Sequence, residues 1–116
     1  MNVGDFRELA VYQRYATLSD AVHELAARMA KFERWTIGIQ LVRAVDSIGA
    51  NIAEAYGRGS DLDRRRFLLM ARGSINKAEH WLDRAAARGL CDPSLKGDIR
   101  EVGRMLNGLL KTFRPT

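Results

Sequence analysis

Residues 37–58 read IGIQLVRAVDSIGANIAEAYGR, and this stretch decides the fold. Side chains three and four residues apart share a face of a helix. On that spacing Ile37, Leu41, Ala44, Ile48, Ile52 and Ala55 form an apolar row, and Gln40, Arg43, Ser47, Asn51, Glu54 and Arg58 form a polar row immediately beside it. Polar groups next to a core cost about 1–3 kcal/mol each unless hydrogen-bonded, so the polar row implies partners on another helix or another subunit. It points to assembly or binding. The helix is predicted to span roughly Thr36 to Tyr56, stopped at Gly57 by a left-handed glycine.

Three further helices flank it. Upstream, Val11, Leu18, Leu25 and Phe32 repeat every seven residues, interleaved with Tyr15, Val22 and Met29, which is a bundle-helix pattern over roughly Phe6 to Lys31. Downstream of the loop Gly57-Arg58-Gly59-Ser60, a third helix is predicted with Asp61 or Asp63 as N-cap. It sends Phe67, Ala71, Ile75, Ala78, Leu82 and Ala85 to the core and ends at Gly89, with Leu90 folding back in a Schellman contact. Asp92-Pro93 is a cap-then-first-turn signature for a fourth helix carrying Leu95, Ile99, Val102, Leu106, Leu109 and Phe113 on one face. Short connections between long helices force antiparallel neighbours, so the expected fold is all-α, an antiparallel up-down-up-down four-helix bundle in a single domain over residues 1–116. The small residues Gly38, Ala44, Ser47, Gly49, Ala50, Ala53 and Ala55 read mainly as tight packing within that bundle.

Composition fits a helical protein: 47% hydrophobic residues over 116 positions, with only 2 prolines. The single Cys91 has no internal disulfide partner, no signal-peptide pattern opens the chain, and no apolar run nears the ~20 residues of a membrane span. A cytoplasmic protein without membrane association is expected. The formal net charge of +5 is concentrated in the second half, through Arg64, Arg65, Arg66, Arg72, Lys77, Arg84, Arg88, Lys96, Arg100, Arg104, Lys111 and Arg114. A one-sided basic surface is the electrostatic precondition for binding a polyanion.

Asn51 falls at a heptad core position with Ile37 and Ala44, where a buried Asn fixes register and oligomer state. Glu54 one turn on, with Arg72, Ser74 and Glu79 in the third helix, suggests a network between helices in which Glu54 or Glu79 accepts from Arg72. A lone carboxylate beside arginines is a poor general acid, because the cations lower its pKa. The glycine loop lacks the lysine and spacing of a P-loop, so its arginines are better read as contacts to an RNA backbone than as a nucleotide site. Tyr12, Tyr15, Trp35, Phe67 and Trp81 would be able to stack on bases if exposed, but their helical spacing favours core or subunit contacts. His23 and His80 stand alone, no Glu-x-x-His pair occurs, and Cys91 has no His or Cys nearby in sequence. No cofactor, metal or enzyme class is expected.

The runs Asp5-Phe6-Arg7-Glu8-Leu9-x-Val11-Tyr12-Gln13, Gln40-Leu41-x-Arg43-Ala44-x-x-Ser47-Ile48-x-x-Asn51-Ile52-Ala53-Glu54-x-x-Gly57-Arg58 and Phe67-x-x-x-Ala71-Arg72-Gly73-Ser74 together resemble one family. It is the four-helix-bundle proteins encoded in the intervening sequences of bacterial large-subunit ribosomal RNA genes, to which accessory proteins of diversity-generating retroelements are related. The resemblance extends to Glu79 and to Met105-Leu106-Asn107-Gly108-Leu109. It implies an all-α bundle, a ring-like homopentamer and a role with RNA. Where relatives often carry Pro before the Asn-Ile-Ala-Glu run, this chain has Gly49 and Ala50, which predicts a straighter second helix. The leading functional expectation is therefore a non-enzymatic homo-oligomer binding structured or ribosomal RNA through Arg58, Arg64, Arg65, Arg66, Arg84, Arg88, Lys96, Arg100 and Arg104. The alternative is a scaffold whose ring presents a surface to another protein.

Overall fold

The computed structural model describes residues 3–113; Arg114, one of the basic residues named above, lies outside them. The described chain is helical throughout. A 3-10 turn at Phe6–Glu8, capped by the Asp5 carboxylate accepting from the Arg7 amide, leads into α1 (Ala10–Ala27). A helical turn at Lys31–Glu33 and a π-wound stretch at Arg34–Gly38 run without interruption into α2 (Ile39–Tyr56). α3 (Asp61–Ala87) and α4 (Leu95–Leu110) complete the set. α2 packs between α1 and α3, and α4 closes the ring between α3 and α1, which is the antiparallel four-helix bundle that the short connections require.

The core follows the sequence pattern closely. Val11, Tyr15, Leu18 and Val22 of α1 meet Leu41, Val45, Ile48 and Ile52 of α2, Leu68, Ile75 and Leu82 of α3, and Ile99, Val102 and Leu106 of α4. Each fully buried Leu or Ile is worth about 1.5–3 kcal/mol, far more than any cap or surface pair. Ala71, Ala78 and Ala85 lie buried at seven-residue spacing on α3, and their size lets its backbone approach α2 closely. One glycine is required by packing. A Cβ at Gly49 would lie 2.1 Å from the Tyr15 ring, whose hydroxyl donates to the Asp46 carbonyl at 3.3 Å. Ser19 adds a second tie from α1 to α2, 2.8 Å from the Asp46 carboxylate.

The helix ends are where the structure departs from the sequence reading. Gly89 does take the left-handed conformation, at φ 71°, with the Leu90 amide bonding to the Ala85 carbonyl and that of Gly89 to Ala86, so the Schellman closure forms as expected. Gly57 does not: at φ −89° it stays right-handed, and α2 ends in tightened bonds from the Gly57 amide to Glu54 and from Arg58 to Ala55. The N-cap of α3 is Ser60, whose hydroxyl accepts from the Asp63 amide, because its extended backbone sets the side chain over the first turn; Asp61 and Asp63 lie inside the helix. Asp92 accepts from the Ser94 amide and organises the turn from which α4 starts at Leu95. Phe32 is the largest correction. α1 stops at Ala27, so the heptad row does not reach Phe32, which is 75% exposed.

Candidate functional site

The polar row of α2 faces the seam with α3. Ser47 and Ser74 meet hydroxyl to hydroxyl at 2.8 Å, and Ser74 also donates to the Met70 carbonyl. Asn51 is half-buried at the edge of the core and donates to Ser47 of its own helix, to the carbonyl at 2.9 Å and the hydroxyl at 3.2 Å. It therefore makes no hydrogen bond to another helix of this chain. The Arg72 network does not form either. Glu54 pairs with Arg58 at 2.5 Å and Glu79 lies 3.8 Å from Arg100, while Arg72 lies exposed on the other flank of α3 without an ion-pair partner among the described residues. The reason is geometric: 100° per residue turns Arg72 away from the side of α3 that carries Ser74.

The expected RNA-contacting residues divide into two groups. Arg64 is buried at 6% exposure, bonded to Asp61 at 2.7 Å beneath the Phe113 ring. Arg65 donates to the Leu110 and Phe113 carbonyls at 2.7 and 3.3 Å, supplying partners for acceptors that the end of α4 leaves open. Arg58 sits 4.3 Å over the Phe67 ring between Glu54 and Asp63. Along α4, Lys96 bonds Asp83 of α3 at 2.7 Å, Arg104 bonds Glu101 within the helix, and Arg14 of α1 bonds Asp98 at 3.1 Å. The lysine holds the Asp83 carboxyl below its usual range, and the guanidinium does the same to Glu101. Arg58, Arg64, Arg65, Lys96 and Arg104 are thus engaged within the protein, and Arg66 and Arg100 stand exposed with carboxylates at 3.8 Å.

Arg84 and Arg88 are exposed and have no carboxylate partner among the described residues. With Lys77 they fall at steps of seven and four, one stripe on the α2-facing flank of α3. Arg43 joins them across the seam, where Gln40, Arg43, Ser47, Ser74 and Lys77 line a shallow cleft of about 240 Å³. Arg28, Lys31 and Arg34, around the α1–α2 turn, are likewise exposed and unpaired. The stripe spacing of Lys77, Arg84 and Arg88 was available in the sequence. Their freedom from carboxylates was not, since it depends on which helices become neighbours.

Chemistry-bearing side chains elsewhere are quiet. The half-buried Cys91 thiol lies 3.9 Å from the Leu82 carbonyl, and burial pushes its pKa up, the opposite of an activated nucleophile. His80 packs edge-on against Trp81. Among the described residues no cluster of His, Cys, Asp and Glu could hold a metal ion, and no helix is long and apolar enough to cross a membrane.

Set beside known proteins, the bundle superposes on the crystal structure of a protein of unknown function from the S23 ribosomal protein family of Bacteroides thetaiotaomicron VPI-5482. The TM-score is 0.80 at 24% identity, covering 87% of this chain and 95% of that one, a likeness that establishes the fold. No curated protein matches. The family described as 23S rRNA-intervening sequence protein matches residues 7–108, from the first helical turn into the last helix. With α1, α2, α3 and most of α4 inside that match, the chain belongs to the 23S rRNA-intervening sequence protein family.

Proposed function

We propose that this protein is a non-enzymatic RNA-binding bundle that holds phosphates along the α2–α3 flank and works as a homo-oligomer. The observation that carries the reading is the row Arg43, Lys77, Arg84 and Arg88, which have no carboxylate partner among the described residues, whereas Lys96, Arg100 and Arg104 of α4 and Arg14 of α1 are set against Asp83, Glu79, Glu101 and Asp98. A cation already paired gives up a favourable contact on meeting a phosphate, whereas a free one gains a charge-assisted hydrogen bond and releases condensed counterions. Contacts of this kind position a structured RNA by its backbone and leave sequence readout to shape. The family's description, which ties its members to intervening sequences of 23S rRNA, makes ribosomal RNA the first ligand to try. A ring of five copies, as the resemblance implies, would repeat the flank and multiply weak contacts into avidity.

The test is anisotropy of a labelled 23S rRNA fragment across a salt series, beside an unrelated RNA duplex of equal length. Binding should weaken steeply with salt, and each of Arg43→Ala, Lys77→Ala, Arg84→Ala and Arg88→Ala should lower the log–log salt slope by about one. Sedimentation of the same sample reads the assembly mass. Absence of salt-sensitive binding would make the charge incidental and turn the search to a protein partner.

A further inference from the structure

At the α1–α2 turn two aromatic side chains stand out of the protein: Phe32 at 75% exposure and Trp35 at 63%. A core packing reading does not account for them, since the lead-in turn at Lys31–Glu33 lies beyond the end of α1 and the π-wound stretch carries Trp35 outward. They border a chain of shallow hollows. Trp35 lines one with His23 and Arg34 and a second with Lys31 and Phe32, and Phe32 lines a third that reaches Arg88 on α3. Among the described residues Lys31, Arg34 and Arg88 have no carboxylate partner, and Glu33 is the single acidic side chain lining any of the three. Two exposed rings rimmed by free cations match the chemistry of an unpaired nucleotide, whose base offers a face to stack and whose phosphates take the charge. A symmetric contact between two copies of this basic rim would be repelled.

We infer that Phe32 and Trp35 form a base-stacking platform for unpaired RNA nucleotides, with Lys31, Arg34 and Arg88 holding the adjoining phosphates. The inference rests on the RNA reading above and adds single-stranded character to the ligand, since bases within a duplex are not free to stack on a side chain. Arg88 belongs both to the α3 stripe and to the platform, so a strand leaving a duplex held on the α2–α3 flank would meet the aromatic rings next.

The experiment compares a labelled oligoadenylate with a long blunt RNA duplex, at one low salt concentration, for the wild type, Phe32→Ala/Trp35→Ala and Phe32→Tyr/Trp35→Phe. The expected result is a loss of about tenfold on oligoadenylate for the alanine pair, rescue by the aromatic pair, and a change of under about twofold on the duplex. Circular dichroism melts and sedimentation accompany each variant. Equal affinity of the alanine pair for oligoadenylate would overturn the platform, as would a parallel loss on both ligands or a change in assembly mass, which would make the rings a contact between copies. Wild-type binding to the duplex alone would remove the platform and leave the proposed function standing, while binding to neither would remove both.

Discussion

The two ends of the bundle use the same residue types in opposite ways. Where α2 ends and α3 begins, Arg58 covers Phe67, Arg64 is buried beneath Phe113, Arg65 holds the last carbonyls of α4, and Tyr56 packs edge-on against Phe113. Where α1 ends and α2 begins, Arg28, Lys31 and Arg34 have no carboxylate partner among the described residues, and Phe32 and Trp35 face outward. Arginine and aromatic content does not separate the ends. What differs is which acceptors the fold brings within reach: Glu54, Asp61, Asp63 and the open carbonyls of α4 engage the arginines at the first end, whereas Glu24 and Glu33 at the second form no ion pair among the described residues. A basic residue becomes scaffold where the fold brings acceptors to it and surface charge where it does not.

Substitutions that test this contrast can be ranked by expected effect. Arg64→Ala should cost the most, about 2–3 kcal/mol in urea denaturation, through loss of its buried aliphatic stem. Arg64→Met should recover most of that, since Nε of Arg64 has no hydrogen-bond partner and its ion pair opens onto solvent through Asp61. Arg65→Ala should cost about 1–2 kcal/mol and speed amide exchange near the end of α4. If Arg65→Ala were no more costly than Arg88→Ala, the distinction between engaged and free arginines would fail.

The next effect depends on pH. Burial raises the Tyr56 pKa above its ordinary 10.0, and the same holds for Tyr15 in the middle of the bundle. The folded state thus keeps the neutral phenol while the unfolded chain ionises, so the stabilisation is complete below pH 10 and is lost as pH rises through the folded pKa. Thermal melts of Tyr56→Phe should show a shallower alkaline decline than the wild type. Smallest of all, Arg88→Ala and Phe32→Ser should leave stability within about 0.5 kcal/mol, because neither side chain is packed; a drop comparable to that of Arg64→Ala would show the open end to be structural after all.

Much of this architecture was legible in the residues. The rows of α2, α3 and α4 face the core as their spacing demands, except that Phe67, Leu95 and Leu109 are only half-buried while Leu68 and Leu110 are buried, and Gly89 with Leu90 closes α3 as the sequence signals. Errors fell where local chemistry is ambiguous. Phe32 continues the seven-residue row of α1, and neither Gly nor Pro marks the break before it. Gly57 is free to be left-handed but is not obliged to be. Of three consecutive arginines the pattern requires one to be exposed, and Arg66 is, yet it cannot say that Arg64 is buried and Arg65 reaches across to α4. The site was less legible than the fold, because pairs such as Lys96 with Asp83 or Arg100 with Glu79 join helices brought together only by the tertiary arrangement.

The π-wound stretch at Arg34–Gly38 has an evolutionary consequence. Its closing bond, from the Ile39 amide back to the Arg34 carbonyl, encloses one residue more than an α-turn does, as a single-codon insertion within a helix would leave it. Removing one residue there is expected to restore ordinary winding and swing the Lys31–Glu33 turn by about 100° around the helix axis while α2 keeps its register. Phe32 would then face a different quarter of the molecule, while residues 39–56 keep their register and the buried Ile37 and Gly38 must repack against Met29 and Ala26. A lineage that gains or loses one residue at this point re-aims an exposed surface at the cost of repacking one small cluster at the end of the bundle.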